Sequence, residues 1–318
     1  MARAFCYVLP LAAAVCLSAA ERTFEVRGQI DPAPSRAVVV LAGATTPFNT
    51  QTASDSTGRF RFRNIRTGTY KVLVFTPGAG EIERTIEVGP SLADSNNRIA
   101  VTLSFSGDAP IQDALERQHT VDVRRLAIPD AAKREYAEAQ KLLGKNQVDQ
   151  AIRRIEKAVE IAPRFTEAWN HLGTIAFLAQ RYKDAEGYFR KALDAEPGSY
   201  YPSVNLGAAV MLQGRLEEAL KYNLYAVVER PKDPLANAQT GQNYLFLGNL
   251  DLALRYLQEA KRLDPNHFSL PQLYLARIHA QRSDFKAASA ELEDFLARHP
   301  DSPQVPKVWV QLEGWRQQ

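Results

Sequence analysis

The chain reads as a multidomain protein, an all-β sandwich followed by an all-α solenoid of helical hairpins. Two observations predict this. Residues 22–105 hold short runs of alternating apolar and polar side chains, separated by Gly, Pro, Asp and Asn, which is the rhythm of strands and tight turns. Beyond residue 130, prolines recur at Pro163, Pro197, Pro231, Pro265 and Pro300, in steps of 34, 34, 34 and 35 residues. A fixed period of that size marks a repeat architecture.

The amino terminus precedes both modules. Arg3 supplies a thin positive charge, residues 5–17 form an apolar run interrupted by Pro10, and Ser18, Ala19 and Ala20 set small residues at a cleavage site. Residues 1–20 are therefore expected to be a secretory signal peptide. The run is too short and too broken by proline for a comfortable transmembrane helix. An uncleaved anchor is the competing reading; a lipid anchor at Cys16 is disfavoured by the bulk of Val15. Export would place the mature chain in the periplasm or outside the cell, or at the periphery of the outer membrane, with no integral membrane segment.

Cleavage after Ala20 would remove Cys6 and Cys16, the chain's 2 cysteines. The remainder then has no disulfide, no thiolate nucleophile and no zinc–thiolate site. A net charge of +3 over 318 residues does not call for nucleic acid as a partner.

In the first domain (21–105), strands are expected at 23–30, 37–41, 59–65, 70–75, 84–88 and 99–105. The most specific stretch is DSTGRFRFRNIRTGTY, residues 55–70. Gly58 suits a tight turn, Phe60 and Phe62 share one face, and Arg59, Arg61 and Arg63 share the other. This stretch resembles the carboxypeptidase regulatory-like domain, a transthyretin-like sandwich, and the resemblance implies no hydrolysis. The three arginines suit the wet face of a half-buried strand. Together with the loop 45–56 they also define an alternative, in which the sandwich binds a glycan or surface and the helices are a stalk.

The connector, 106–131, opens with polar residues and a short helix at 111–118. Val121, Val123, Leu126 and Ile128 then follow as spaced apolar residues, predicting that the segment packs on the first helical repeat.

Five repeats are expected at 132–165, 166–199, 200–233, 234–268 and 269–300, with a capping helix in 301–318. Ala151, Ala185, Ala219, Ala253 and Ala288 stand twelve residues before the prolines, and Ala139, Gly173, Gly207, Gly241 and Ala276 stand twenty-four before. Small residues on both helices of a hairpin let the two cross closely, and proline ends the second helix. Between the small columns runs an apolar one: Val148, Tyr182, Leu216, Leu250 and Phe285. In the cap, Val305, Val308, Trp309 and Leu312 fall at helical spacing.

These columns closely resemble the tetratricopeptide repeat; the second repeat carries Trp169, Leu172, Gly173, Tyr182, Ala185, Phe189, Ala192 and Pro197. Glu138 and Phe295 depart from the pattern in the terminal repeats. The resemblance implies a concave surface lined by the first helix of each hairpin. Transferring the matching positions, the partner-binding candidates are Asn170, His171, Tyr201, Asn205, Gln239, Gln242, Tyr274 and Arg277. Amides suit the backbone of an extended peptide, whose donors and acceptors all need partners; solvated helix surface is the plainer reading. Positions 2, 5 and 6 of the central repeats carry Glu167, Asn170, His171, Tyr201, Val204, Asn205, Leu235, Ala238 and Gln239, with no lysine–arginine carboxylate clamp, so a neutral extended or helical segment fits better.

Nothing in the sequence reads as catalytic. His119, His171, His267, His279 and His299 show no metal-ligand spacing. Gly78, Ala79 and Gly80 read as a turn between strands, and no Gly-x-Ser-x-Gly elbow is present. Asp184, Glu186, Glu217 and Glu218 fall on outward positions near basic residues. The expected function is a non-catalytic protein-interaction scaffold of the bacterial cell envelope, holding a protein or peptide partner, with no cofactor and no metal.

Overall fold

The computed structural model describes residues 22–33, 37–76, 80–104 and 128–316. The signal-peptide reading of residues 1–20 and most of the connector reading lie outside them. Ile128 is described, and it packs against the apolar cluster of the first repeat.

Seven strands form the sandwich: β1 (Thr23–Asp31), β2 (Val38–Gly43), β3 (Asn49–Ala53), β4 (Arg59–Arg66), β5 (Gly68–Thr76), β6 (Gly80–Val88) and β7 (Arg98–Ser104). One sheet has the order β4-β1-β7 and the other β3-β2-β5-β6. Among the described residues, only β1 and β7 pair in parallel. Alternation places Phe24, Val26, Val39, Leu41, Phe60, Phe62, Val72, Val74, Ile82 and Ile86 between the sheets as one core.

Two strand expectations need correction. β3 (NTQTA) lies inside the segment read as a loop, because it has no apolar alternation to reveal it. It is held by backbone pairing to β2, with Gln51 opposite Val40. β6 begins at Gly80 rather than Arg84, so Gly80 opens a strand instead of closing a turn.

Eleven helices follow among the described residues: α1 (Asp130–Gly144), α2 (Val148–Ile161), α3 (Thr166–Leu178), α4 (Tyr182–Ala195), α5 (Tyr200–Leu212), α6 (Leu216–Glu229), α7 (Pro234–Phe246), α8 (Leu250–Leu263), α9 (Pro271–Gln281), α10 (Phe285–Arg298) and α11 (Val305–Arg316). They pair as five antiparallel hairpins and a cap. The five alanines of the second helices are all fully buried. A Cβ added to Gly173 would come within 2.4 Å of the Phe189 ring, and one added to Gly241 within 2.7 Å of Leu257. The small columns are small because the facing helix leaves no room.

Each second helix ends on an extended residue before its proline: Ala162, Glu196, Arg230, Asp264 and His299, with ψ of 84, 88, 80, 94 and 53°. The ring of a following proline disfavours helical backbone at those positions. In the cap, Val308 and Leu312 are buried as expected, but Trp309 is 46% exposed. Trp315 packs instead, against Phe285.

The third hairpin carries an anomaly. Asn223 stands where Phe189, Leu257 and Leu292 fill the equivalent place in neighbouring repeats. It is fully buried, and neither its amide nitrogen nor its oxygen has a hydrogen-bond partner. An unpaired buried amide is penalised by its lost hydration. Asn223→Leu is therefore expected to stabilise the chain by about 1–3 kcal/mol, read as a higher melting temperature; a lower one would contradict this account of the third hairpin.

Candidate functional site

The first helices stand side by side: α3 touches α5, α5 touches α7, and α7 touches α9. Together they make a continuous wall. On it, Asn205 Nδ2 donates to Asn170 Oδ1 at 3.0 Å, so the amides of two successive repeats already pair. His171 Nδ1 lies 3.1 Å from the Tyr136 hydroxyl. Burial pulls the His171 pKa down to about 4, which keeps the ring neutral at pH 7.

Further along the wall, Gln239 and Gln242 are only 7% and 9% exposed. Gln239 Oε1 has no hydrogen-bond partner. Tyr274 is half-buried, and burial raises its hydroxyl pKa; Arg277 beside it is exposed. Tyr201 sits at the edge, its hydroxyl accepting from Arg230 Nη1 at 3.2 Å. The Arg230 guanidinium covers the Tyr200 ring at 3.9 Å, a cation–π contact. Tyr200 in turn donates to Asp233 Oδ2 at 2.6 Å.

The outward carboxylates behave as the sequence suggests. Glu186 pairs with Arg190 and Arg215, and Glu218 joins the same network. Burial pushes the Glu186 carboxyl up, but the two arginines outweigh it and hold the pKa at about 2.

A second feature has no counterpart in the sequence reading. The outer face and edge of β6 meet the loops that lead into and out of the fifth repeat. The Thr85 N–H donates to Asp264 Oδ2 at 3.1 Å. Glu87 Oε1 pairs with His299 Nδ1 in a buried contact. Past the strand, Ser91 donates to Asp301 from its N–H at 3.0 Å and from its hydroxyl at 2.8 Å. Gly89 allows this approach, since a Cβ there would come within 2.1 Å of the Asp301 carboxylate.

On β5, Lys71 pairs with Glu83 at 3.1 Å and lies 5.8 Å from the centre of the Phe268 ring. Burial works against its charge, but Glu83 first, then Tyr201 and Asp233, outweigh it and raise the lysine pKa. One signal for this contact was present in the sequence. The single 35-residue step falls between Pro265 and Ala276, so the extra residue lies in the loop carrying His267 and Phe268. That loop also holds Leu270 at φ 52°, a left-handed conformation that branched side chains rarely adopt.

Arg59, Arg61 and Arg63 are all exposed on β4. Arg61 lies 3.6 Å from Glu25. Arg61 and Arg63 also line an open cleft of about 410 Å³ with Thr50, Gln51 and Gly144. Among the described residues, no group of three or more His, Cys, Asp or Glu side chains is placed to hold a metal ion.

The fold and the wall define the class: a helical-repeat protein with an appended β-sandwich. Residues 26–104 match the carboxypeptidase regulatory-like domain, and residues 136–200 and 236–267 match the tetratricopeptide repeat. The chain is a tetratricopeptide repeat protein with an amino-terminal carboxypeptidase regulatory-like domain. Among solved structures, PilW, a widely conserved type IV pilus biogenesis factor, superposes with a TM-score of 0.51 at 20% identity, covering 59% of this chain and 90% of PilW. Pseudomonas aeruginosa PilF superposes with a TM-score of 0.50 at 21% identity, over 60% of this chain and 85% of PilF. These likenesses establish the fold alone.

The DnaJ protein P58IPK homolog B of Oryza sativa subsp. japonica is 22% identical over 224 residues, 52% of this chain and 48% of the relative. The DnaJ homolog subfamily C member 7 of Mus musculus is 30% identical over 136 residues, 42% of this chain and 25% of the relative. The chain spans about half or less of the length of these curated relatives.

The half-buried His171 and the buried His267 give the array a pH dependence. Burial holds His171 at about 4; burial, then Lys71, holds His267 at about 3. Both values lie below that of an unfolded histidine, about 6.5. The unfolded chain therefore binds more protons between those limits, and stability falls as pH drops from 6.5 through 4. The melting temperature should decline across that window, and less steeply in His171→Gln; an equal decline in both would remove His171 as a source.

Proposed function

We propose that this is an exported, non-catalytic interaction protein of the bacterial cell envelope, whose concave wall holds an extended segment of a protein partner. The observation that carries the reading is the wall of amides on the first helices, ending in a buried Gln239 oxygen with no partner. An extended segment offers an N–H and a C=O at every residue, and all need partners once buried. Asparagine and glutamine supply both donor and acceptor. The pairing of Asn170 with Asn205 supports the reading, because a backbone amide offers the same donor and acceptor and can take either partner's place.

Export rests on the leader-like residues 1–20. Among the described residues, no helix is long and apolar enough to cross a membrane. A second reading places recognition on the sandwich, with Arg59, Arg61 and Arg63 meeting an anionic glycan or surface; the cleft beside Arg61 and Arg63 favours it.

The test begins with peptides selected from a displayed library against the full chain. Asn205→Ala combined with Gln239→Ala is expected to weaken the best of them about tenfold, since each hydrogen bond contributes roughly 0.5–1.5 kcal/mol and about 1.4 kcal/mol is a factor of ten. The melting temperature should barely move. Unchanged affinity would remove the wall as the site. A chain that instead binds an acidic polysaccharide, and loses it on Arg61→Glu with Arg63→Glu, would establish the second reading.

A further inference from the structure

β6 is an edge strand, yet Thr85, Ile86, Glu87, Val88 and Gly89 are all buried. With one face in its own core, an edge strand ordinarily leaves its other face and its outward N–H groups to water. Here the array takes the place of water, through Asp264, His299 and Asp301. At the opposite edge of the same sheet, the Asn49 carbonyl lies against Gly144, where a Cβ would approach to 2.9 Å.

These contacts straddle the wall. Gly144 ends a first helix, whereas Asp264 and Phe268 precede one. One sheet therefore reaches the first repeat at one rim of the wall and the loops flanking the fifth repeat at the other. The wall residues between, Gln239 and Gln242, are buried.

The side-chain contacts that tie β6 and β5 to the array are hydrogen bonds, an ion pair and one cation–π contact. The apolar core of the sandwich is one cluster, and those of the array are others. Polar contacts trade readily for water, which makes such docking reversible. Two atoms trapped in it, Glu87 Oε2 and His299 Nε2, have no partner, which penalises the docked state further. The array also breaks its 34-residue period in the loop that meets Lys71, so the departure and the contact coincide.

We propose that the sandwich is the array's internal ligand: its four-stranded sheet spans the mouth of the groove, and a partner segment reaches Gln239 and Gln242 only when β6 leaves the loops at 264–270 and 299–301. This rests on the groove reading given above. The loops also state what competes best. It is an extended strand offering an N–H to Asp264 and, two residues on, a carboxylate to His299, as Thr85 and Glu87 do.

The test follows alkylation of Gln242→Cys by iodoacetamide with mass spectrometry, in the full chain carrying Cys6→Ser and Cys16→Ser. Glu87→Gln with Asp301→Ala is expected to speed alkylation at least tenfold. A disulfide formed between Ser91→Cys and Asp301→Cys should slow it at least tenfold below the unlatched rate. Equal rates in the latched and unlatched chains overturn the proposal. Hydrogen exchange at the Thr85 amide gives a check free of engineered cysteines: protected in the native chain and released in Asp264→Ala supports docking, and an amide unprotected in the native chain ends it. Failure here is distinct from failure of the groove itself. In the first case peptide binding still falls with Asn205→Ala and Gln239→Ala while alkylation ignores the latch; in the second, alkylation responds to the latch while peptide binding ignores the wall.

Discussion

Everything beyond residue 130 depends on how closely two helices can cross. Where Gly173 faces Phe189 and Gly241 faces Leu257, there is no space for even a methyl group. Ala151, Ala185, Ala219, Ala253 and Ala288 meet the same constraint from the other helix. Once each pair is held at that distance, its remaining apolar face is too broad to be covered from within. Stacking the next pair against it is the solution. The wall of first helices, and the spacing of the amides on it, are consequences of that stacking.

The same constraint explains why the third hairpin tolerates Asn223. Gly207 opposite it leaves room for a side chain of that length, with the Asn223 oxygen 2.4 Å from where a Cβ would stand. The shape is satisfied while the hydrogen bonding is not. Packing and polar satisfaction are separate requirements, and this position meets only the first.

The two modules touch in a different manner from the repeats. Repeats stack through apolar clusters, such as Ala176, Phe189, Leu206 and Val210. The sandwich meets the array through Asp264, His299, Asp301 and Lys71. Apolar stacking is insoluble in the literal sense, since exposing it to water is unfavourable throughout. A polar seam can open, because water replaces each of its bonds at small net loss. An array stacked through apolar clusters and a sheet docked through polar groups are therefore combined in one chain.

The sequence by itself determined the repeats, because their demands are local and periodic: a small residue at each crossing, an extended residue before each proline, an apolar residue opening each second helix. It also determined most of the sandwich, where alternation marks β1, β2, β4, β5 and β7. It could not show β3, whose residues NTQTA carry no alternation and whose strand character comes from pairing with β2. Nor could it show that Asn170 bonds Asn205, or that Thr85 to Gly89 are covered on both faces. Those facts depend on which surface of a distant module arrives there, and partners some 180 to 210 residues apart, such as Thr85 with Asp264 and Glu87 with His299, leave no periodic trace. Only the tertiary structure decided them.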